Sequence, residues 1–336
     1  MKNILLSCLV FIAALASSSP ALVQGTVWVA NENGNSLTVI NTATNEVVTT
    51  LQGIGMPHNV QVAPGGKSVW VTSMHHGQVV KIDPITYRVV GTAKTGKSPA
   101  HVIVTPDSKK VYVANEDDNT VSVIDASTLK TITTIPVGHH PHGLRPSPDG
   151  KLVCVANMES GSVSLIDTTT DKKIADIAVG KGPVQVAFSP SGKILYVSLS
   201  KQNAIAKIDL TTKKVTAEAA VGDGPIQLFA TRDDQYVLVA NQGTKERPAN
   251  TLSFVYTRTF KTVDDIVTGR GVHGVVVDDS GKYAYVTNTF DDSVGVVEIA
   301  ARKLVATVRV GQKPNGISYS PQAPPPEPAS NTNTAM

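Results

Sequence analysis

One repeat constrains this chain more than any other feature. The segment Val27-Trp28-Val29-Ala30-Asn31 returns as Val69-Trp70-Val71-Thr72-Ser73, Val111-Tyr112-Val113-Ala114-Asn115 and Val153-Cys154-Val155-Ala156-Asn157. Leu195-Tyr196-Val197, Val237-Leu238-Val239-Ala240-Asn241 and Ala284-Tyr285-Val286-Thr287-Asn288 bring the copies to seven. Starts at 27, 69, 111, 153, 195 and 237 stand 42 residues apart, and the last step, to 284, is 47. Apolar residues alternate within each copy, which is the period of a strand and not of a helix. Four short antiparallel strands in about 40–45 residues is the unit of a propeller blade. In the copy near residue 100, His101 to Thr105, Val111 to Asn115, Val121 to Asp125 and Lys130 to Val137 read as those strands. Pro106-Asp107-Ser108-Lys109 and Ala126-Ser127-Thr128 supply turn chemistry between them.

The ends predict how the ring closes. The repeats open on a second strand at Thr26, and the last element, Pro314 to Pro321, is a first strand with no second strand after it. Together they make one blade, and a ring sealed this way leaves no inner sheet edge to template aggregation. The sequence therefore predicts an all-β, seven-bladed β-propeller with four antiparallel strands per blade. It is closed by the N-terminal strands plus a C-terminal first strand. Residues 22–321 form this domain. Residues 1–21 read as a signal peptide, with Lys2, an apolar run from Ile4 to Leu15 and a small-residue cleavage site near Ala21. Residues 322–336 read as a disordered Pro-rich tail.

Composition excludes several classes. Thirty Lys+Arg against 27 Asp+Glu give a net charge of +3, and Lys67, Lys109, Lys151, Lys193 and Lys282 are spread one to a turn. This argues against nucleic acid as a partner, which calls for a concentrated basic face. Two cysteines, Cys8 and Cys154, leave the mature chain without an internal disulfide. After the leader no apolar run reaches the roughly 18 residues of a membrane span. The expected product is an exported monomer, periplasmic or secreted.

The Tyr/Trp-Val-Ala/Thr-Asn strands carry a resemblance to a known family. So do the Ile-Asp strand ends (Ile82-Asp83, Ile124-Asp125, Ile166-Asp167, Ile208-Asp209) and the segments Gly180-Lys181-Gly182-Pro183 and Ser147-Pro148-Asp149-Gly150-Lys151. They resemble the YVTN β-propeller repeats of bacteria and archaea, from about residue 25 to 321. The resemblance implies the fold. It spans exported proteins of unassigned role and, among related propellers, copper, modified-haem and lactone-hydrolysing centres, so it does not choose a function.

Function is argued from where side chains fall on the disc. All eight histidines map to one face, made by the loops before first strands and between second and third strands. Pro57, Pro99, Pro141, Pro183 and Pro225 recur at the start of first strands, with Val272 and Pro314 in the last two copies. The next residue is His58, Ala100, His142, Val184, Ile226, His273 and Asn315, and the one after includes His101. These positions surround the mouth of the central channel. Histidine there suits copper or zinc, and thioether from Met56 would favour copper. The predicted metal ligands are His58, His101, His142 and His273, with His140 and Met56 in reserve. His75, His76 and His139 lie in loops of the same face. So do Lys245 and Arg247, in the five-residue insertion of blade six, and these five are the expected contacts to a ligand or partner. Glu116, Asp117 and Asp118 read as a solvated loop. Cys154, in the slot of Trp28 and Trp70, reads as a packed, inert thiol. The leading expectation is a non-enzymatic binding or scaffold propeller that engages a protein partner or small ligand through the histidine face. The alternative is a metalloprotein holding copper or zinc at the channel mouth, with redox or hydrolytic chemistry.

Overall fold

Residues 25–325 are described by the computed structural model, so the expected leader and residues 326–336 of the expected tail lie outside the described residues. Among them, 28 β-strands form seven four-stranded antiparallel sheets arranged as the blades of a propeller. Numbered by their second strands, blade one holds Thr26–Asn31, Ser36–Asn41 and Glu46–Gln52, and its first strand is Pro314–Ser320. That strand pairs Ser320 with Thr26, Tyr319 with Val27 and Ser318 with Trp28, which closes the ring between the two ends of the domain. The other first strands are Pro57–Val62, Pro99–Val104, Pro141–Pro146, Pro183–Phe188, Pro225–Ala230 and Val272–Val277. Each touches the first strand of the next blade, so together they wall the central channel.

Stability comes from packing blade on blade. Alternation sends every second residue of a strand to one neighbouring blade and the rest to the other. Trp70 and Val79 of blade two thus share a core with Val102, Val113 and Ile124 of blade three. Cys154 and Val163 of blade four pack likewise with Val186 and Val197 of blade five. Trp28, Trp70, Tyr112, Cys154, Tyr196, Leu238 and Tyr285 all fill one buried slot. Burial pushes the Cys154 thiol far above its ordinary pKa, so it stays a packed hydrophobe. On the face away from the histidines, Asp83, Asp125, Asp167 and Asp209 each accept two backbone N–H bonds from the turn that follows. Asp125 and Asp167 also accept from turn hydroxyls, so these carboxylates cap the turns.

Two repeated devices shape the inner rim. The asparagine closing a second strand donates its amide to hydroxyls on the third strand, as Asn115 does to Thr120 and Ser122 at 3.0 and 2.9 Å. Asn31, Asn157 and Asn241 make the same pair of bonds. Opposite that asparagine sits the residue that opens the first strand. Directly after it the register slips in every blade, between Pro57 and Val60, Pro99 and Val102, or Pro141 and Leu144. Proline has no N–H for the ladder, and the bulge that follows re-aims the next two side chains. Those are the positions that carry histidine.

Candidate metal centre

The bulges bring four imidazoles together at the axis. His58 and His142 follow the opening prolines of blades two and four, and their Nε2 atoms stand 3.2 Å apart. His101, one residue deeper in blade three, lies between them, with ring centroids 5.7 Å from His58 and 4.7 Å from His142. One nitrogen from each of these three lies within 4.8 Å of the others. The His273 ring reaches within 6.3 Å of His58 from blade seven. His101 is fully buried, and His142 and His273 are each 6% exposed. Three neighbouring imidazoles could therefore hold a metal ion.

The surroundings decide which nitrogens are free. His142 Nδ1 faces the Val184 carbonyl at 3.2 Å, and a carbonyl only accepts, so the proton sits on Nδ1 and Nε2 carries a lone pair. His58 Nδ1 faces the Glu32 carboxylate at 3.2 Å, which accepts its proton, and Asn315 Nδ2 lies 3.0 Å from the same nitrogen. The His142 Nε2 lone pair then faces His58 Nε2 across 3.2 Å. An N–H donated by His58, or a metal cation held by both nitrogens, satisfies that lone pair. Two nitrogens each about 2.0–2.1 Å from one tetrahedral ion would stand about 3.3–3.4 Å apart. Drawing the widest pair of the trio onto the same ion asks for a closing movement of up to about 1.4 Å. His101 Nδ1 meets the Gln185 amide nitrogen at 3.2 Å, and its Nε2 is buried without a partner. Ligation through Nε2 requires that amide to turn over and present its oxygen to Nδ1–H, giving up the bond from Val186 N–H to Gln185 Oε1. His273 is arranged likewise, with Gln242 Nε2 2.9 Å from Nδ1 and an unpartnered Nε2.

Burial, followed by the charges of the neighbouring imidazoles, holds His101 and His142 well below the ordinary histidine pKa. The same causes take His273 down to about 3. These rings are neutral at physiological pH, the form that ligates metals. Burial alone would raise Glu32, but bonds and charge from His58 and Lys313 outweigh it and hold the carboxyl well below its usual range. Glu32 is thus an anion buried among His58, Lys313 and Asn315. Glu116 departs from the solvated loop expected of it. It lies half-buried, 3.6 Å from His142 Nε2 and 3.8 Å from His140 Nε2, and burial raises its pKa against the pull of His58 and His140. Asp117 and Asp118 of the same run are exposed.

The remaining predicted residues stand outside the cluster. His140 is in the second row, against Glu116. Met56 is 38% exposed in the loop before its strand, where its N–H bonds Asn35. His75 and His76 stack on each other in an exposed turn, Met74–His76, with His76 held by Ser73 at 3.0 Å. His139 is exposed. The blade-six insertion is a tight hairpin, bridged at Gly243 and Pro248, with Lys245 and Arg247 exposed on it. Glu32 and Gln242 went unnoticed in the sequence, although one slot holds both. The residue after the second-strand terminus runs Glu32, Met74, Glu116, Met158, Ser200, Gln242 and Thr289 through the repeats. In three of these blades it touches a channel histidine.

Fold and site together define a seven-bladed propeller with an imidazole cluster at one mouth of its channel. Residues 106–217 match the family model described as a YNCE-like beta-propeller, which agrees with the seven-bladed ring. No curated protein matches it. Among solved structures it is similar to hydrazine synthase of Kuenenia stuttgartiensis at 24% identity and a TM-score of 0.69, over 78% of this chain and 89% of that one. A functionally unknown protein from Desulfotomaculum acetoxidans gives a TM-score of 0.78 at 16% identity, over 89% and 99% of the two chains. The dihydro-heme d1 dehydrogenase NirN gives 0.67 at 14%, over 91% and 77%. At these identities the likeness establishes the fold alone.

Proposed function

We propose that this protein is a metal-binding propeller of the cell envelope that holds copper or zinc through His58, His101 and His142, with His273 beside them. One observation carries this reading: the Nε2 atoms of His58 and His142 face each other at 3.2 Å, His142 Nδ1 is committed to the Val184 carbonyl, and a His101 nitrogen lies within 4.8 Å of both. Three imidazoles suit either metal and leave one position of a tetrahedral ion open. When bound, the ion supplies a Lewis acid there, or a redox centre if it is copper. Burial holds His101 and His142 neutral, the Val184 carbonyl sets the His142 tautomer, and Glu32 orients the His58 ring. Around the mouth, the exposed loops with His75, His76, His139, Lys245 and Arg247 form the surface for a small ligand or protein partner. This keeps the binding role expected of the fold and gives it a centre. Location in the envelope is supported by the apolar segment from Ile4 to Leu15 behind Lys2, and no helix among the described residues is long and apolar enough to cross a membrane.

The test is elemental analysis of the full chain after stripping with chelator, reloading with Cu²⁺ or Zn²⁺ and dialysis. The expected result is one ion per chain, lost in His142→Ala and kept in a His75→Ala, His76→Ala double variant. Sub-stoichiometric loading of the parent chain, or equal loading of His142→Ala, overturns the proposal.

A further inference from the structure

The channel has a second mouth, on the face away from the histidines, and the inner strands line it with a different set of side chains. Four residues after the opening proline or valine the repeats carry Gln61, Ile103, Arg145, Ala187, Phe229, Val276 and Ser318. Six of these seven, all but Ala187, line a cavity of about 600 Å³. Its walls are largely apolar, with Ile103, Phe229, Val276 and Ile317 joined by prolines of the surrounding turns. Arg145 is the one charged residue in this ring of slots. Its only hydrogen bond among the described residues is a long one, 3.4 Å from Nη1 to the carbonyl of Leu144, and no carboxylate pairs with it. The other arginine of the cavity, Arg232, is already spent on Asp279 at the rim. Burial lowers the Arg145 pKa to about 10, which leaves the guanidinium charged at neutral pH. An enclosed guanidinium without a counter-ion is costly, and one that faces an open, mostly apolar cavity is built to receive an anion.

We propose that this mouth is a binding site for an organic monoanion with an apolar body, a carboxylate being gripped by Arg145 while its hydrocarbon part lies against Ile103, Phe229 and Val276. The charge count sets the valence. Arg232 and Asp279 cancel, so Arg145 leaves one positive charge to be matched. The Arg145 charge is felt at His101, but no imidazole lines the cavity, so the proposal does not depend on the metal reading.

Calorimetric titration of the metal-stripped chain with octanoate, and with 1-octanol as its neutral counterpart, tests this. Octanoate is expected to bind one per chain and at least tenfold more tightly than octanol. Arg145→Met is expected to lower octanoate affinity at least tenfold and leave octanol unchanged. Val276→Trp, which sets an indole where the hydrocarbon part would lie and keeps the charge, is expected to lower the affinity for both at least tenfold and carries the test if Arg145→Met does not fold. His142→Ala is expected to bind octanoate like the parent chain. Octanoate that fails to bind the parent, binds no better than octanol, survives either cavity variant or is lost in His142→Ala overturns the proposal.

Discussion

Glu32 is the residue on which the tautomer logic of the cluster turns. As an anion it accepts from His58 Nδ1, from Asn315 and from Lys313. A carboxylate behind a ligating imidazole fixes the ring and makes its far nitrogen a better donor, and losing it commonly costs about 10–100-fold in metal affinity. Glu32→Gln keeps the size and removes the charge. It is expected to weaken Cu²⁺ or Zn²⁺ binding by about that factor, measured by competition with a chelator of known affinity. Glu116→Gln is expected to cost less, because Glu116 faces His140 and His142 at 3.8 and 3.6 Å and orients neither through Nδ1. Equal losses in the two variants would show that Glu32 contributes only bulk negative charge.

At the scale of the strand, the asparagine that closes five of the seven second strands holds the loop that follows it. Asn115 donates to Thr120 and Ser122, and its Oδ1 accepts from Gly96 N–H at 3.0 Å. Asn115→Ala strands three buried or half-buried polar groups and is expected to cost about 1–3 kcal/mol, read as a lower urea midpoint at unchanged slope. The period of these asparagines made the blades, their number and the seam at Thr26 legible. It also placed His58, His142 and His273 in one slot and His101 in the next. The distances were not legible. A strict two-residue alternation sends adjacent side chains to opposite faces of a sheet, so only the bulge after Pro57, Pro99 and Pro141 lets His58, His101 and His142 converge. Glu116 was misread for a related reason. A run of acids looks solvated by composition, whereas its first member stands on the rim and the next two point outward.

For the molecule as a whole, packing a ring around buried imidazoles ties folding to protons. The folded, metal-free chain keeps His101, His142 and His273 neutral, the last with its pKa at about 3, because burial and the charges of His58 and, for His101, Arg145 oppose protonation. The unfolded chain protonates the same rings near pH 6.5. Below that point the unfolded state holds more protons, so stability is complete above about pH 6.5 and falls as the pH drops toward the folded values. Each proton contributes a slope of about 1.4 kcal/mol per pH unit. Glu32 adds to the loss further down, since its carboxyl is held below the usual range in the folded chain and is protonated on unfolding below about pH 4.3. Glu116, with its pKa raised, works in the opposite sense as one group against four. Urea denaturation of the chelator-treated chain is therefore expected to show stability falling steeply between pH 7 and pH 5, at nearly constant slope in urea. His273→Gln, which removes one of the three withheld protons while keeping a polar side chain beside Gln242, is expected to flatten that fall by about a third. A parent chain equally stable at pH 7 and pH 5 would mean that the imidazoles protonate freely in the folded ring, and the neutral cluster would be lost with them.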